Sequence, residues 1–298
     1  DFAALSMKVN GHTVVPFIDS LARQSLLLKA FAPHKVGSSN SDYEILNSRV
    51  ADQNVMYYSY IKDYPDSVVR MLVDKGYQAS VFHGLGGKLF NLRSAYAAQG
   101  FSVFHFKEDL EAEGYAPSKY IMEHILDEDV FAKAGSDLDP RARQLQFIIT
   151  MSSHIPFMDP MPIFSGAGGV FSRYVSSLRY MDQSLAAYYA LLPAGTVLVL
   201  WGDHGSDVPY PLGFPDNRRQ VPFLVNVKGN TSWMRSLTDD AGEVLKGDSC
   251  RFGEEDVRRQ EQAGPLTGLL LAPDVLLPLI HLSSPTRRYA FPYDVIFL

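Results

Sequence analysis

Two continuously apolar runs constrain this chain most: Gln144–Met151 (QLQFIITM) and Thr196–Trp201 (TVLVLW). Each has the length of a strand, and each stops at a polar cluster. Ser152-Ser153-His154 follows the first and Gly202-Asp203-His204-Gly205 the second. A strand that is apolar at nearly every position is buried on both faces, as in a mostly parallel sheet covered by helices. Between the two runs, Arg173–Leu192 has the length and spacing of a helix, which gives a strand–helix–strand unit. The alternation recurs upstream. Asp66–Gly76 predicts a helix stopped by glycine, Gln78–Phe82 a short strand, and His83–Lys88 a polar turn. Leu89–Gly100 predicts another helix and Ser102–Phe106 a strand or edge. Pro16–Leu28 has helical spacing, with Phe17, Leu21 and Leu28 on one face. Phe31–Asn47 reads as a Gly- and Ser-rich loop that enters a helix around Asp42–Leu46. Val221–Val227 predicts a further strand, Leu269–Leu282 a late helix and Arg287–Leu298 an extended tail, whereas Asp127–Pro140 and Asp239–Gln262 carry little pattern. With no internal repeat or low-complexity linker, the prediction is one α/β domain over residues 1–298.

Charge and cysteine usage remove several function classes. The net charge of −6, with no long run of one sign, argues against the clustered Lys and Arg of a nucleic-acid-binding surface. A single cysteine, Cys250, excludes a disulfide framework and zinc sites built on cysteine pairs. Gly195–Trp201 is too short to span a membrane, and Leu269–Ile280 is broken by Pro273, Asp274 and Pro278. The chain opens at Asp1 without a visible secretion signal, so the expectation is a soluble piece excised from a longer protein.

Ligands of open α/β sheets collect at the carboxyl ends of the strands. Three predicted strand ends carry histidine there: His83, His154 and His204. The adjacent Asp203 and His204 are donors suited to a divalent metal. Spacing alone equally allows a capping Asp203 beside a surface His204. Small hydroxyl residues in Val36–Ser48 (VGSSNSDYEILNS) lie at a helix entry, where backbone N–H groups favour phosphate. They fit either an activated nucleophile or an ordinary N-cap by Ser41 or Asn40. No G-x-S-x-G elbow is present, and Gly84–Gly87 and Gly166–Gly169 match neither a P-loop nor a dinucleotide fingerprint.

In their order, these pieces resemble the phosphoglycerol transferases of the alkaline phosphatase superfamily, a group that includes the lipoteichoic acid synthases. Val9–Phe31 is similar to the family's hairpin, "PF" and helix, and His34 stands just ahead of the nucleophile loop. Ser38-Ser39-Asn40-Ser41-Asp42 with Asn47-Ser48 resembles the loop itself, which puts Ser38 at the nucleophile and Ser39 one shift away. GYQASVFHG (Gly76–Gly84) with Phe90-Asn91 resembles "GY…FHG…WNR", although Leu92 takes the arginine position and Arg93 is displaced by one. TMSSHIPF (Thr150–Phe157), YMDQSL (Tyr180–Leu185), WGDHG (Trp201–Gly205), VPFLVN (Val221–Asn226) and Ala272–Leu282 follow in register.

The resemblance implies a sulfatase-like three-layer sandwich with a mostly parallel central sheet and a small C-terminal subregion. It implies a divalent metal, manganese first with zinc or magnesium as alternatives, held by Asp203, His204, Ser38 and a glutamate from a first strand expected upstream of Asp1. Substrate binding would fall to His83, Phe90, Arg93 and His154. The implied reaction passes a phospholipid headgroup, phosphoglycerol or phosphoethanolamine, through a phospho-seryl intermediate onto a glycan or polymer acceptor. The implied place is the periplasmic or cell-surface face of the membrane, through an anchor preceding this chain. Two other readings stand beside it. One is a phosphodiesterase or sulfatase-type hydrolase, although the C/S-x-P-x-R context of sulfatases is absent around Ser38. The other is an inactive glycan- or headgroup-binding domain, suggested by Asn40 in the loop, the displaced Arg93 and the missing glutamate.

Overall fold

The computed structural model describes residues 2–31, 37–49, 51–52, 54–60, 62–118, 123–157, 164, 169–206, 208, 220–230 and 295–297. After a 3-10 turn at Phe2–Ala4 the elements run β1 (Lys8–Val9), β2 (His12–Thr13), α1 (Pro16–Ala22), β3 (Leu26–Phe31), α2 (Ser38–Asn47), α3 (Tyr57–Tyr60), α4 (Val68–Val73) and β4 (Gln78–His83). A 3-10 turn at Leu89–Asn91 leads into α5 (Leu92–Gln99), β5 (Val103–His105), α6 (Lys107–Ala112), α7 (Asp127–Ser136) and β6 (Gln144–Ile149). The rest is α8 (Gly169–Leu191), β7 (Val197–Trp201), β8 (Gln220–Val227) and β9 (Val295–Phe297).

Apart from the β1–β2 hairpin, the described strands form one sheet in the order β3-β8-β7-β9-β6-β4-β5. β4, β5, β6, β7 and β9 pair in parallel, while β8 runs antiparallel to both β7 and β3. β3 therefore points the same way as β7, and six of these strands present their carboxyl ends at one edge.

Both faces of the sheet are covered because the side chains alternate between two cores. Ala79 and Val81 of β4, Leu145 and Phe147 of β6 and Val199 of β7 join a core with α2, α4 and α5. Phe82, Ile148, Leu198 and Leu200 join a second core with α1, α7 and α8. This is the three-layer sandwich expected, and the apolar runs that predicted it are apolar because they feed both cores.

Two segments differ from their sequence reading. Pro16–Leu28 is not one helix: α1 ends at Ala22 and β3 begins at Leu26. The Leu26–Leu28 run pairs with Leu224–Val225 and Phe223 of β8, so a short apolar run that suited either structure is claimed by the sheet. Asp127–Ser136 is the helix α7, with Asp127, Glu128 and Asp129 in its first turn. Val295–Phe297 agrees with the extended tail. His34, Cys250, the stretch Asp239–Gln262, the predicted helix Leu269–Leu282 and any C-terminal subregion lie outside the described residues. No helix among the described residues is long and apolar enough to cross a membrane.

Buried carboxyls tie these layers together. Asp182 of α8 accepts the backbone N–H groups of Phe17 (3.0 Å) and Ile18 (2.8 Å), holding α1 against the sandwich. Glu44 of α2 accepts the N–H of Ala51 at 2.9 Å. Burial pushes Asp182 up to about 6 and Glu44 up to about 7. Unfolded carboxyls titrate near 4, so folding takes up protons between roughly pH 4 and pH 7. The stability these groups contribute is complete on the acid side of that window and is lost as pH rises through it. These two carboxyls alone should therefore raise the thermal midpoint by roughly 5 °C at pH 5 relative to pH 7.5, an effect that buried histidines with lowered pKa values, such as His83, partly offset. Asp182→Asn should narrow the gap, and a midpoint that rises steadily with pH would contradict the assignment.

Candidate active site

β7 delivers Asp203 and His204 to the shared edge through Gly202. A Cβ on Gly202 would lie 3.0 Å from the Val221 Cβ, so the turn packs against β8 where only glycine fits without displacement. Asp203 Oδ1 accepts the His204 N–H at 2.9 Å. His204 Nδ1 lies 2.9 Å from the Gly205 carbonyl and donates to it, which leaves the Nε2 lone pair as the free donor atom. Nε2 is 3.3 Å from Asp203 Oδ2. Neighbouring nitrogen and oxygen ligands on a tetrahedral zinc lie roughly 3.4 Å apart, so the pair fits two positions of one cation. No three His, Cys, Asp or Glu side chains among the described residues converge as a closed metal site would need. The fit is to two donors, with further positions left for a hydroxyl or other ligands.

α2 supplies the hydroxyls, and it starts earlier than its sequence suggested. Ser38 is already its first residue, and the N-cap is Gly37 rather than Ser41 or Asn40. Ser38 is half-buried, whereas Ser39 is buried with its Oγ 3.5 Å from Asn40 Oδ1. Asn40 is committed to structure: its amide donates to the carbonyls of Asp52 (3.1 Å) and Val55 (3.0 Å). One turn on from Ser38, and so on the same face of the helix, stands Asp42. Burial pushes the Asp42 carboxyl up to about 7, against the Tyr96 hydroxyl that donates to it at 2.7 Å, and Asp203 adds to the rise. Asp42 thus lies within electrostatic reach of Asp203 and His204 at the end of β7. Two carboxyls in one another's field beside an imidazole lone pair form an arrangement that a cation relieves. The sequence reading used Asp42 only as part of the loop motif.

The other focus lies at the ends of β4 and β6. From β4 to β7 is three strand steps, about 14 Å, so this edge is a groove rather than a point. His83 ends β4, buried, with Nδ1 3.1 Å from the Ile149 carbonyl. Burial drives its pKa down to about 4. The ring is neutral at pH 7, donates through Nδ1 and offers Nε2 as an acceptor. His154, exposed beyond β6, is near enough for its charge to act on His83. Its turn is held by Asp127, at the start of α7, which accepts the N–H groups of Met151 (2.7 Å) and Ser152 (3.1 Å). Phe90 is half exposed and, like Asn91, has a left-handed backbone, with φ of 48° and 62°. Two such non-glycine residues in succession are strained, a condition that clusters at functional sites. Arg93 is placed differently. Its guanidinium bridges Glu108 (3.0 Å) and Asp109 and lies over the rings of Phe104 and Phe106.

The Sulfatase family model matches residues 1–237. The chain is 23% identical over 268 residues to the lipoteichoic acid synthase-like YvgJ of Bacillus subtilis (strain 168), covering 80% of this chain and 43% of that protein. It therefore spans under half the length of this relative. Among solved structures, the lipoteichoic acid synthase LtaP of Listeria monocytogenes superposes with a TM-score of 0.66 at 19% identity, over 76% of this chain and 63% of that one. The Streptococcus pyogenes phosphoglycerol transferase GacH, in complex with sn-glycerol-1-phosphate, gives 0.60 at 17% identity, over 85% and 78%. With its hydroxyl-bearing helix and Asp-His turn at one edge of a mostly parallel sheet, the chain belongs to the sulfatase family and has the alkaline phosphatase-like fold.

Proposed function

We propose that the chain is the catalytic domain of a divalent-metal-dependent phosphotransferase. It moves a phosphoglycerol- or phosphoethanolamine-type headgroup from a phospholipid to a glycan or glycerophosphate polymer outside the cytoplasm. The observation that carries the reading is that Asp42, one turn on from Ser38 in α2, lies within electrostatic reach of the Asp203–His204 pair. The names of the relatives, lipoteichoic acid synthases and a phosphoglycerol transferase, support the same class.

Asp203, His204 and Ser38 would hold the cation, manganese first with zinc or magnesium as alternatives. When bound it supplies Lewis-acid polarisation and a lower hydroxyl pKa. Ser38 Oγ forms a bond to phosphorus while the bond to the lipid glycerol oxygen breaks. That oxygen leaves with a proton as diacylglycerol. The acceptor hydroxyl then attacks the phospho-seryl group and restores Ser38, a two-step exchange. Backbone N–H groups at the start of α2 face the developing negative charge. His83 Nε2, an acceptor in its neutral ring, suits a hydroxyl of the headgroup. Phe90 offers an exposed ring face to the headgroup's carbon atoms, and His154, whose Nδ1 lies 2.6 Å from the Ile155 carbonyl, has Nε2 left to meet a headgroup hydroxyl. Arg93 contributes by bracing the loop through Glu108 and Asp109.

The test is diacylglycerol release from phosphatidylglycerol vesicles with manganese, with and without chelator. Chelation should abolish release, and Asp203→Asn should lower it by about a hundredfold or more with the fold intact. Release that ignores both would sink the metal-dependent reading. Stoichiometric headgroup binding without turnover would favour the binding-domain reading instead.

A further inference from the structure

Beside the carboxyl end of β4 lies a residue with no assigned role. Residues 123–126 lead into α7 and lie directly on the residue that follows His83. Ile125 N donates to the Gly84 carbonyl at 3.0 Å, and the Ile125 carbonyl oxygen sits 2.3 Å from where a Gly84 Cβ would be. Only glycine at 84 permits that approach. Glu123 has φ 44°, a left-handed conformation that costs a non-glycine residue free energy. The neighbouring His124 is turned inward: it is 6% exposed, and neither ring nitrogen has a hydrogen-bond partner among the described residues. Its backbone is anchored, since its carbonyl accepts the Ser118 N–H at 2.9 Å.

A buried imidazole with both nitrogens unsatisfied is costly, and buried polar groups in folded proteins nearly always find partners. Phe82, one residue before His83, uses its ring to stack on His105, so the aromatic packing here does not call for a second imidazole. The groups around His124 indicate what would satisfy it. His83 and His154 are within its electrostatic reach, and so is Lys107, at the start of α6. Lys107 is held 3.5 Å from Glu123 and 3.7 Å from Glu111. Burial, helped by His154 and Lys107, holds the His124 pKa below its ordinary value, so at neutral pH the ring is uncharged with one N–H to donate. Residues 123–125 sit on Gly84 beside His83, and His124 is within electrostatic reach of His83, His154 and Lys107, so its ring N–H is placed to meet a phosphate oxygen bound beside His83.

We propose that His124 is a third histidine of the headgroup groove, donating its ring N–H to a non-bridging oxygen of a glycerophosphate ester held between His83 and His154. The proposal rests on the transferase reading for the identity of that ester, but its test does not require turnover.

The experiment is calorimetric titration of the metal-free protein with sn-glycerol 1-phosphate, with imidazole nitrogen resonances recorded in parallel. Wild type should bind, and a ring-nitrogen resonance that is absent from His124→Gln should move on binding. His124→Gln should weaken binding about tenfold and His124→Phe at least as much. His124→Phe should also keep or raise the thermal midpoint, because an apolar ring of similar size carries no orphan nitrogens. Wild-type affinity in both variants would overturn the proposal and make His124 a packing residue. Failure of the wild type to bind glycerol phosphate would overturn it as well. Binding that depends on His124, in a protein that releases no diacylglycerol with manganese, would leave this site standing and remove the transferase reading.

Discussion

Diacylglycerol release should fall by at least about three orders of magnitude when Ser38 is replaced by alanine, and by no more than a few-fold when Ser39 is. The difference follows from where α2 begins. Both hydroxyls lie in its first turn, but Ser38 is half-buried, whereas Ser39 is packed inside beside Asn40. Asn40 in turn is pinned by two backbone carbonyls, so the first turn cannot rotate to exchange the two serines without breaking those bonds. Ser38 shares its helix face with Asp42, the residue in the field of Asp203 and His204. The capping position belongs to Gly37, so removing the Ser38 hydroxyl takes away no cap and should leave the thermal midpoint within a degree or two. Ser38→Thr keeps a nucleophile and should retain activity within about tenfold. Phosphate transferred from a labelled donor should be trapped on Ser38. Trapping on Ser39, or an active Ser38→Ala variant, would move the chemistry elsewhere.

Much of the fold could be read from the sequence because the sheet's central strands are apolar on both faces and end abruptly. Val197–Trp201 and Gln144–Ile149 are such strands, and the helix between them, Gly169–Leu191, is long enough for its period to be unambiguous. The failures occurred where period and length conflict. In Pro16–Leu28 three consecutive leucines fit a helix face or a buried strand, and only pairing with β8 decides for the strand. In Asp127–Ser136 the signal was present. Asp127, Val130, Phe131 and Ala134 are buried at positions i, i+3, i+4 and i+7, behind an acidic first turn of the kind that opens helices.

The candidate site divides the same way. Asp203 and His204 could be found because adjacent donors after a buried strand are a local pattern. Asp42 could not be ranked that way, because its electrostatic coupling to Asp203 and His204 arises from the fold and no local spacing encodes it. Arg93 shows the converse: an arginine near the expected position, but two carboxylates on α6 hold it. His124 is a lone histidine in unpatterned sequence until the fold lays it on Gly84.

Asp127→Ala should be the most damaging substitution outside the reacting groups, lowering stability by about 3 kcal/mol and the thermal midpoint by roughly 5–10 °C. The Asp127 carboxyl is almost wholly buried, and each of its oxygens takes one backbone N–H from the turn after β6. Met151 and Ser152 are themselves buried, so alanine would strand two N–H groups where water cannot reach them. Each stranded donor costs about 1–3 kcal/mol, and relief of the carboxyl's own desolvation offsets part of the sum. Burial already pushes the Asp127 pKa above the usual carboxylate range, a sign that this desolvation is real. The turn also carries His154, two residues past Ser152. Turnover measured well below the melting transition should therefore fall by about tenfold, mostly through weaker headgroup binding rather than a slower chemical step. Asp127→Asn keeps one acceptor oxygen and should recover about half of the lost stability. Hydrogen exchange at Met151 and Ser152 reports the cause directly, since both amides should lose protection in the alanine variant before the rest of β6 does. Unchanged protection at these two amides, with the midpoint intact, would show that the turn after β6 is held by packing alone.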